Sequence, residues 1–395
     1  MIKAGKIQAG HDIGSGGLIT TLLEMCFADR DLGAAIDLST LGDQDIIEKL
    51  FSENVGIVFQ ADESAEVTLE ESGIPFHKIG TVNLASTLTV KDATGKWDFD
   101  IDQLRDVWFK TSYLLDEKQT GNGLAKERFA NYKHHLLRYK FPAQFDGKKP
   151  VIDAGKPRPK AAVLREKGSN SERELANAMY LAGFDVKDVH MTDLISGRET
   201  LEDIQFIGAV GGFSNSDVLG SAKGWAGAFL YNEKAKTALE NFFKRDDTLS
   251  VGICNGCQLF IELGLINPDH EQKPKMLHNA SHKHESIFTS MTVQPNNSVM
   301  LSSLAGATLG VWVSHGEGRF QLPLAQSEYN IVSKYGYETY PANPNGSDYN
   351  TAILCDNTGR HLVTMPHIER SLFQWHWAHY PEGRKDEVSP WMEAF

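Results

Sequence analysis

The chain of 395 residues holds only four cysteines, Cys26, Cys254, Cys257 and Cys355. That is too few for a disulfide framework, and with no second Cys-x-x-Cys pair a closed zinc site is disfavoured. Positive charge is also in deficit: 39 Lys+Arg stand against 52 Asp+Glu, a formal charge of −13. Non-specific DNA binding, which draws on counterion release by a basic surface, is excluded as a class, and no nucleic-acid partner is expected. No apolar run approaches the ~20 residues that a spanning helix requires, so no membrane partner is expected. The opening MIKAGKIQAGHDIGSGG has no apolar h-region, which gives a cytoplasmic expectation. Three Asn-x-Ser matches, at Asn279, Asn296 and Asn345, are chance occurrences at this length.

What is present is an ordinary globular mixture, 41% hydrophobic and 23% charged, long enough for roughly two or three domains at ~150 residues each. Residues 1–100 alternate helical and strand-like runs. Leu18, Leu22 and Leu23 and then Ile46–Phe51 and Ala65–Glu71 read as helices. Ala34–Leu38, Gly56–Gln60, His77–Val82 and Thr87–Val90 read as strands. Ile101–Leu115 and Leu124–Leu137 read as helices, followed by prolines at 142, 150, 157 and 159 that interrupt regular structure. A domain boundary is expected at about 157–158. Beyond it, Ala161–Leu164, Phe206–Val210 and Leu249–Ile253 are apolar enough to be strands covered on both faces. Ser171-Glu-Arg-Glu174 reads as a capping box, followed by an amphipathic helix closed by Gly183. The expected class is α/β, with a mostly parallel sheet flanked by helices and a mixed α/β unit in front.

The sharpest local feature is Gly252-Ile-Cys254-Asn-Gly256-Cys-Gln258, where a buried strand runs into an apolar helix. Glycines two residues either side of a central residue suit a nucleophile elbow, with cysteine in place of serine. The helix N-terminus would stabilise a thiolate and offer backbone N–H groups to an oxyanion. A buried cysteine with incidental glycines, a redox pair with Cys257 and half a zinc site are the alternatives. A thiol nucleophile requires a base and a group that orients it. Met365-Pro-His-Ile-Glu-Arg370 provides His367 and Glu369, two apart, on one side if the chain is extended. Gly211-Gly-Phe-Ser-Asn-Ser-Asp217 suits an oxyanion loop, or an ordinary βα turn. Ser314-His-Gly-Glu-Gly-Arg319 is a second candidate ligand loop. His278, His282 and His284 sit among Asn, Ser and Lys and read as a solvated loop, not a metal site. His376 and His379 read as packing and surface residues beside Trp375 and Trp377.

Together these motifs resemble the class I (triad) glutamine amidotransferases. Leu164–Asn170, Asp188–Leu194, Gly211–Phe213, Gly252–Gln258, Ser314–Arg319 and Tyr340–Gly346 follow that order across 158–395. Gly10-His-Asp-Ile-Gly-Ser-Gly-Gly-Leu18 is similar to the motif that opens the last subdomain of an aminoimidazole ribonucleotide synthetase-like fold, with Gly14 and Ser15 in place of Ser and Asp. The resemblance implies three parts: a partial synthetase subdomain at 1–105, a helical and proline-rich linker at 106–157, and a glutaminase domain at 158–395. It implies Cys254 as nucleophile, His367 as base and Glu369 as its orienting carboxylate. Gly212, Phe213 and Asn255 would serve the oxyanion, and Gln258, Ser314, His315 and Gly316 would hold glutamine. It implies ammonia transfer to an ATP-dependent synthetase of purine synthesis, most of which is missing here. No cofactor or metal is implied for the glutaminase half, and Mg-ATP only for the complete synthase. With its partner absent, Trp108, Phe109 and Tyr113 are expected as an exposed apolar patch or as a surface covered by self-association. A cysteine hydrolase of another substrate, or an inactive regulatory fragment, is the alternative.

Overall fold

The computed structural model describes residues 1–28, 31–133, 137–153 and 155–395. The chain divides into two compact units, Met1–Asp116 and Glu117–Phe395.

In the first unit, β1 (Ile7–Asp12) is followed by α1 (Gly17–Phe27), β2 (Gly33–Asp37), α2 (Ile46–Phe51), β3 (Ile57–Ala61) and α3 (Ser64–Glu71). Next come β4 (Gly80–Asn83), β5 (Thr87–Lys91), β6 (Lys96–Asp100) and α4 (Ile101–Gln119). Strands β1 and β3 pair antiparallel, while β4, β2, β5 and β6 form a four-stranded sheet in that order. Leu18, Ile19 and Leu22 of α1, an i, i+1, i+4 face, share one buried cluster with Ile36 of β2, Leu88 and Val90 of β5, spaced by two, and Ile101 at the start of α4. The His77–Val82 strand begins only at Gly80, where a Cβ would lie 2.1 Å from the Ala35 carbonyl. The glycine-rich turn before α1 is a packing device. A Cβ on Gly17 would lie 2.7 Å from Leu50 O, and Gly16 N–H donates to the Glu53 carboxylate at 2.9 Å. That side chain occupies the place a bound anion would take at the helix start.

The second unit opens with α5 (Leu124–Asn131), shorter than the expected Leu124–Leu137; residues 134–136 of that expectation lie outside the described residues. The proline-rich segment is irregular but docked. Tyr139 and Phe141 pack edge-on to Trp377, and Lys140 exchanges two backbone hydrogen bonds with Thr308. Then follow β7 (Lys160–Arg165), α6 (Glu172–Ala182), β8 (Asp185–His190), α7 (Met191–Ser196), β9 (Phe206–Ala209), α8 (Lys223–Leu230) and α9 (Glu233–Lys244). Next come β10 (Leu249–Ile253), α10 (Asn255–Glu262), β11 (Lys275–Leu277), β12 (Glu285–Val293), β13 (Thr308–His315), β14 (Arg319–Gln321), β15 (Asn330–Tyr335), β16 (Thr351–Cys355) and β17 (His361–Thr364). Among the described residues a nine-stranded sheet runs β13-β12-β15-β16-β17-β10-β9-β7-β8. The five strands from β17 to β8 are parallel, and the other four join antiparallel. Ala161–Leu164, Phe206–Ala209 and Val251–Ile253 are buried along their whole length, as strands covered on both faces require.

Ser171 does not cap α6 as the Ser-x-x-Glu pattern suggests. It takes φ 71°, and its Oγ turns away to accept from Gly211 N–H at 3.3 Å. The loop after β9 thus claims the hydroxyl from the helix. Gly183 does end α6 in the left-handed conformation.

Candidate active site

Strand β10 lies between β17 and β9 in the parallel half, and its carboxyl end delivers Cys254 to the N-terminus of α10. There Cys254 has φ 53° and ψ −105°, a conformation that β-carbon sterics disfavour. The flanking glycines work by close approach, not by positive φ. A Cβ on Gly252 would lie 2.5 Å from Gly256 O, and one on Gly256 would lie 2.1 Å from Ala209 O. The elbow therefore needs glycine because strand, helix and neighbouring strand meet backbone to backbone. Cys254 N–H is fixed by Thr364 O of β17 at 2.8 Å, and its sulfur lies 3.7 Å from Ser314 O.

His367 follows β17. It does not stand on an extended segment: it precedes a 3-10 turn at Ile368–Arg370, which curls Glu369 back under the imidazole. His367 Nδ1 is 2.7 Å from Glu369 Oε1, and its backbone N–H donates to Trp312 O at 2.8 Å. Burial opposes charge on the ring. The Glu369 carboxylate and the hydrogen bond to Cys254 outweigh it and hold the imidazolium up to about 10. With Nδ1 committed to Glu369, Nε2 is the nitrogen left for the thiol.

Both residues flank Gly211, where an added Cβ would lie 3.0 Å from His367 Cε1 and 3.3 Å from Cys254 Cβ. Gly212 has φ 115° and touches the Ser169–Asn170 backbone, so the loop after β9 can only be glycine there. Phe213 N–H donates to Gly168 O at 3.0 Å. Among the described residues the Gly212 and Asn255 N–H groups, in this loop and at the start of α10, have no such backbone partner.

A cleft of about 310 Å³ opens on Cys254, lined by Gly212, Phe213, Gln258, Ser314, His315 and Gly316 among others. Asn255 lies beneath it, fully buried. Its Oδ1 accepts from Ser214 N–H, its Nδ2 donates to Gln258 Oε1 at 3.0 Å, and Gln258 Nε2 donates to Glu317 O at 2.8 Å. These amides shape the floor, with both ends of Gln258 engaged. His315 is buried, and desolvation, with the neighbouring His367 and His284, pushes it down to about 3, a neutral ring.

The cleft also contains residues that sequence reasoning left out. Asp217, Ser221 and Glu317 form an acidic wall: Ser221 N–H donates to Glu317 Oε2 and Ser221 Oγ to Asp217 Oδ2, each at 3.3 Å. Burial pushes the Asp217 carboxyl above its ordinary range, and the Glu317 charge adds to this. No lysine or arginine pairs with Asp217 among the described residues. His278, His282 and His284, expected as a solvated loop, are exposed and line the same cleft with Lys283. Their sequence surroundings were polar because the wall is half in solvent. Among the described residues no group of three or more His, Cys, Asp or Glu side chains is arranged to hold a metal ion. No described helix is long and apolar enough to cross a membrane. Cys257 and Cys355 are buried, their thiols pushed well up by desolvation, to about 12 for Cys355, whose sulfur donates to Asp356 Oδ1 at 3.7 Å. Trp375 is exposed and stacks on Phe373, while Trp377 is buried.

Residues 158–395 match the CobB/CobQ-like glutamine amidotransferase domain, and the chain belongs to this family. Residues 1–92 match the C-terminal domain of AIR synthase related proteins. Over its whole length the chain is 36% identical to a protein of Arabidopsis thaliana named probable phosphoribosylformylglycinamidine synthase, chloroplastic/mitochondrial, covering 30% of it. It is also 36% identical to the phosphoribosylformylglycinamidine synthase of Homo sapiens, covering 32%. The chain thus spans about a third of the length of these curated relatives. Among solved structures, PurLQS from Thermotoga maritima aligns with 60% of this chain and 96% of its own, at 26% identity and a TM-score of 0.46.

Proposed function

We propose that the cleft hydrolyses glutamine through Cys254, His367 and Glu369. Its ammonia would serve the ATP-dependent conversion of formylglycinamide ribonucleotide to formylglycinamidine ribonucleotide in de novo purine biosynthesis. The observation that carries this reading is Cys254 in its positive-φ elbow, set with the His367 imidazole against Gly211, and that imidazole meeting Glu369 through Nδ1 at 2.7 Å. The Cys254 thiolate attacks the side-chain amide carbon, and the carbonyl pair moves onto oxygen, beside the Gly212 and Asn255 N–H groups. Collapse of this adduct breaks the C–N bond. His367 Nε2 gives its proton to the departing nitrogen, which leaves ammonia and a glutamyl thioester. The now neutral imidazole takes a proton from water as it attacks, and a second collapse releases glutamate and restores the thiolate–imidazolium pair. Glutamine also carries an α-ammonium, and the Asp217–Glu317 wall is the complementary charge in the cleft.

On this reading the glutaminase step draws on no cofactor. Mg-ATP and the ribonucleotide belong to the synthetase portion, the partner to which ammonia passes. The test is alkylation by 6-diazo-5-oxo-L-norleucine, an electrophilic glutamine analogue, followed by peptide mapping. Labelling confined to Cys254, blocked by glutamine and abolished in Cys254→Ser, is the expected result. Labelling that ignores glutamine would point to a hydrolase of another substrate on the same scaffold.

A further inference from the structure

Two turns, 278–284 and 314–318, form walls of the cleft, and one buried side chain lies between them. Asn279 Oδ1 accepts from Gly318 N–H at 3.0 Å and faces His315 Nδ1 at 3.2 Å. Its Nδ2 donates to His315 O at 2.7 Å and to Lys283 O at 3.0 Å, and its backbone N–H donates to Gly316 O at 2.9 Å. All four hydrogen-bonding positions of the amide are thereby used, three on the second turn and one, at Lys283 O, on its own. The neutral His315 fits this scheme: Nδ1–H donates to Asn279, and Nε2 faces Asn345 Nδ2 at 3.4 Å. A fully satisfied buried network of this kind has one arrangement and resists others.

The network reaches the site on one side and α5 on the other. Ser314 O, at the head of the second turn, lies 3.7 Å from the Cys254 sulfur, and Glu317 O takes the Gln258 amide. On the outer side, the turn before α5 braces the first wall: Gly121 N–H donates to Ser281 O at 2.8 Å and Asn122 Nδ2 to Ala280 O at 2.7 Å. Cys254, His367 and Glu369 stand on neither turn; they come from the ends of β10 and β17.

We propose that Asn279 is a positioning residue that fixes the separation of the cleft walls, with Asn122 as its outer brace, and so sets affinity for glutamine without setting the reactivity of Cys254. This rests on the glutaminase reading. The test separates affinity from reactivity by measuring Cys254 alkylation with two electrophiles: 6-diazo-5-oxo-L-norleucine across concentration, and iodoacetamide, which needs no walls. Asn279→Asp keeps the shape and removes the two donors. It is expected to raise the half-saturating concentration of the analogue about tenfold or more, the scale of one lost buried interaction. The limiting rate and the iodoacetamide rate are expected to hold within about threefold. Asn122 sits at φ 57°, so Asn122→Gly removes the exposed brace without backbone strain and is expected to act in the same direction, about two- to fivefold. A folded Asn279→Asp with unchanged saturation overturns the proposal, as does equal slowing with both electrophiles. Should Asn279→Asp fail to fold, an unshifted Asn122→Gly overturns it. Wild-type alkylation that does not saturate and is not blocked by glutamine would instead overturn the glutaminase reading.

Discussion

His367 Nδ1 stands 2.7 Å from Glu369 Oε1, and neither side chain has more than 3% of its surface in solvent. A charge pair so placed is stable only while each partner keeps the other's charge. The imidazolium titrates at about 10 in the folded chain, where burial works against it and Glu369 and Cys254 work for it. The unfolded value is near 6.5. The folded state therefore binds this proton more tightly. The pair's contribution to stability is full below pH ~6.5 and is lost as the pH rises through about 10.

Glu369→Gln removes the support and leaves the burial. The ring is then expected to be neutral at pH 7. Alkylation of Cys254 by iodoacetamide at pH 7 is expected to fall about tenfold or more and to recover only at alkaline pH. Coinciding pH–rate profiles for wild type and variant would sink this account of the pair.

The elbow glycines give a prediction about stability. Gly256→Ala places a methyl 2.1 Å from Ala209 O, a backbone atom that can yield only if strand β9 moves. A loss of about 3 kcal/mol or more is expected in denaturant unfolding. Gly316→Ala meets nothing within 4 Å, and its cost is expected to stay within about 0.5 kcal/mol. Equal midpoints for the two variants would show that close approach is not what demands glycine in Gly252-x-Cys254-x-Gly256.

The contrast also shows what was legible in the sequence. Leu249–Ile253 and Ile46–Phe51 were readable because an unbroken apolar run or a helical period is decided by local chemistry. Cys254, His367 and Glu369 were readable because each sits where a strand ends, and strand ends are marked by glycine or proline. The 3-10 turn that unites His367 with Glu369 was not, since an extended His-x-Glu would place them on one side equally well. Ser171 misled because its hydroxyl serves Gly211, 40 residues away, and no local pattern records that. His278, His282 and His284 are exposed, as a solvated loop should be, but a polar loop looks the same whether it faces bulk water or a cleft, so their place on the cleft wall was not legible. Glu317 and Asp217 lay inside motifs already singled out, yet only the fold brings both to Ser221.

That acidic wall carries a third prediction. Asp217→Asn and Glu317→Gln are expected to weaken L-glutamine protection of Cys254 about tenfold each, while leaving iodoacetamide alkylation within about threefold. N-acetyl-glutamine, which lacks the α-ammonium, is expected to protect the wild type poorly and to be indifferent to both substitutions. Equal protection by the two amino acids would show that the wall does not read the ammonium.

The last prediction concerns coupling. An amidotransferase that releases ammonia before an acceptor is ready wastes glutamine, and restraint requires an element whose state the partner biases. Here α4 presents Val107, Trp108, Leu114 and Leu115 at 64%, 48%, 47% and 61% exposure. Phe109 and Tyr113, expected in the same patch, are half-buried. Trp108 keeps its indole N–H on Glu24 Oε1 at 2.9 Å and packs edge-on to Phe109. Contiguous apolar side chains left in water mark a surface that a partner covers. Glutamine turnover by this chain alone is expected to be low, and to rise at least tenfold when the synthetase portion is added in trans, with ATP-dependent amidation seen only in the mixture. Trp108→Lys is expected to weaken that activation and to leave alkylation of Cys254 by iodoacetamide unchanged. Ammonia release at saturating glutamine, measured for the chain, the mixture and the variant mixture, decides the point. Full turnover by the isolated chain would show that the glutaminase is not restrained, and activation untouched by Trp108→Lys would place the partner elsewhere.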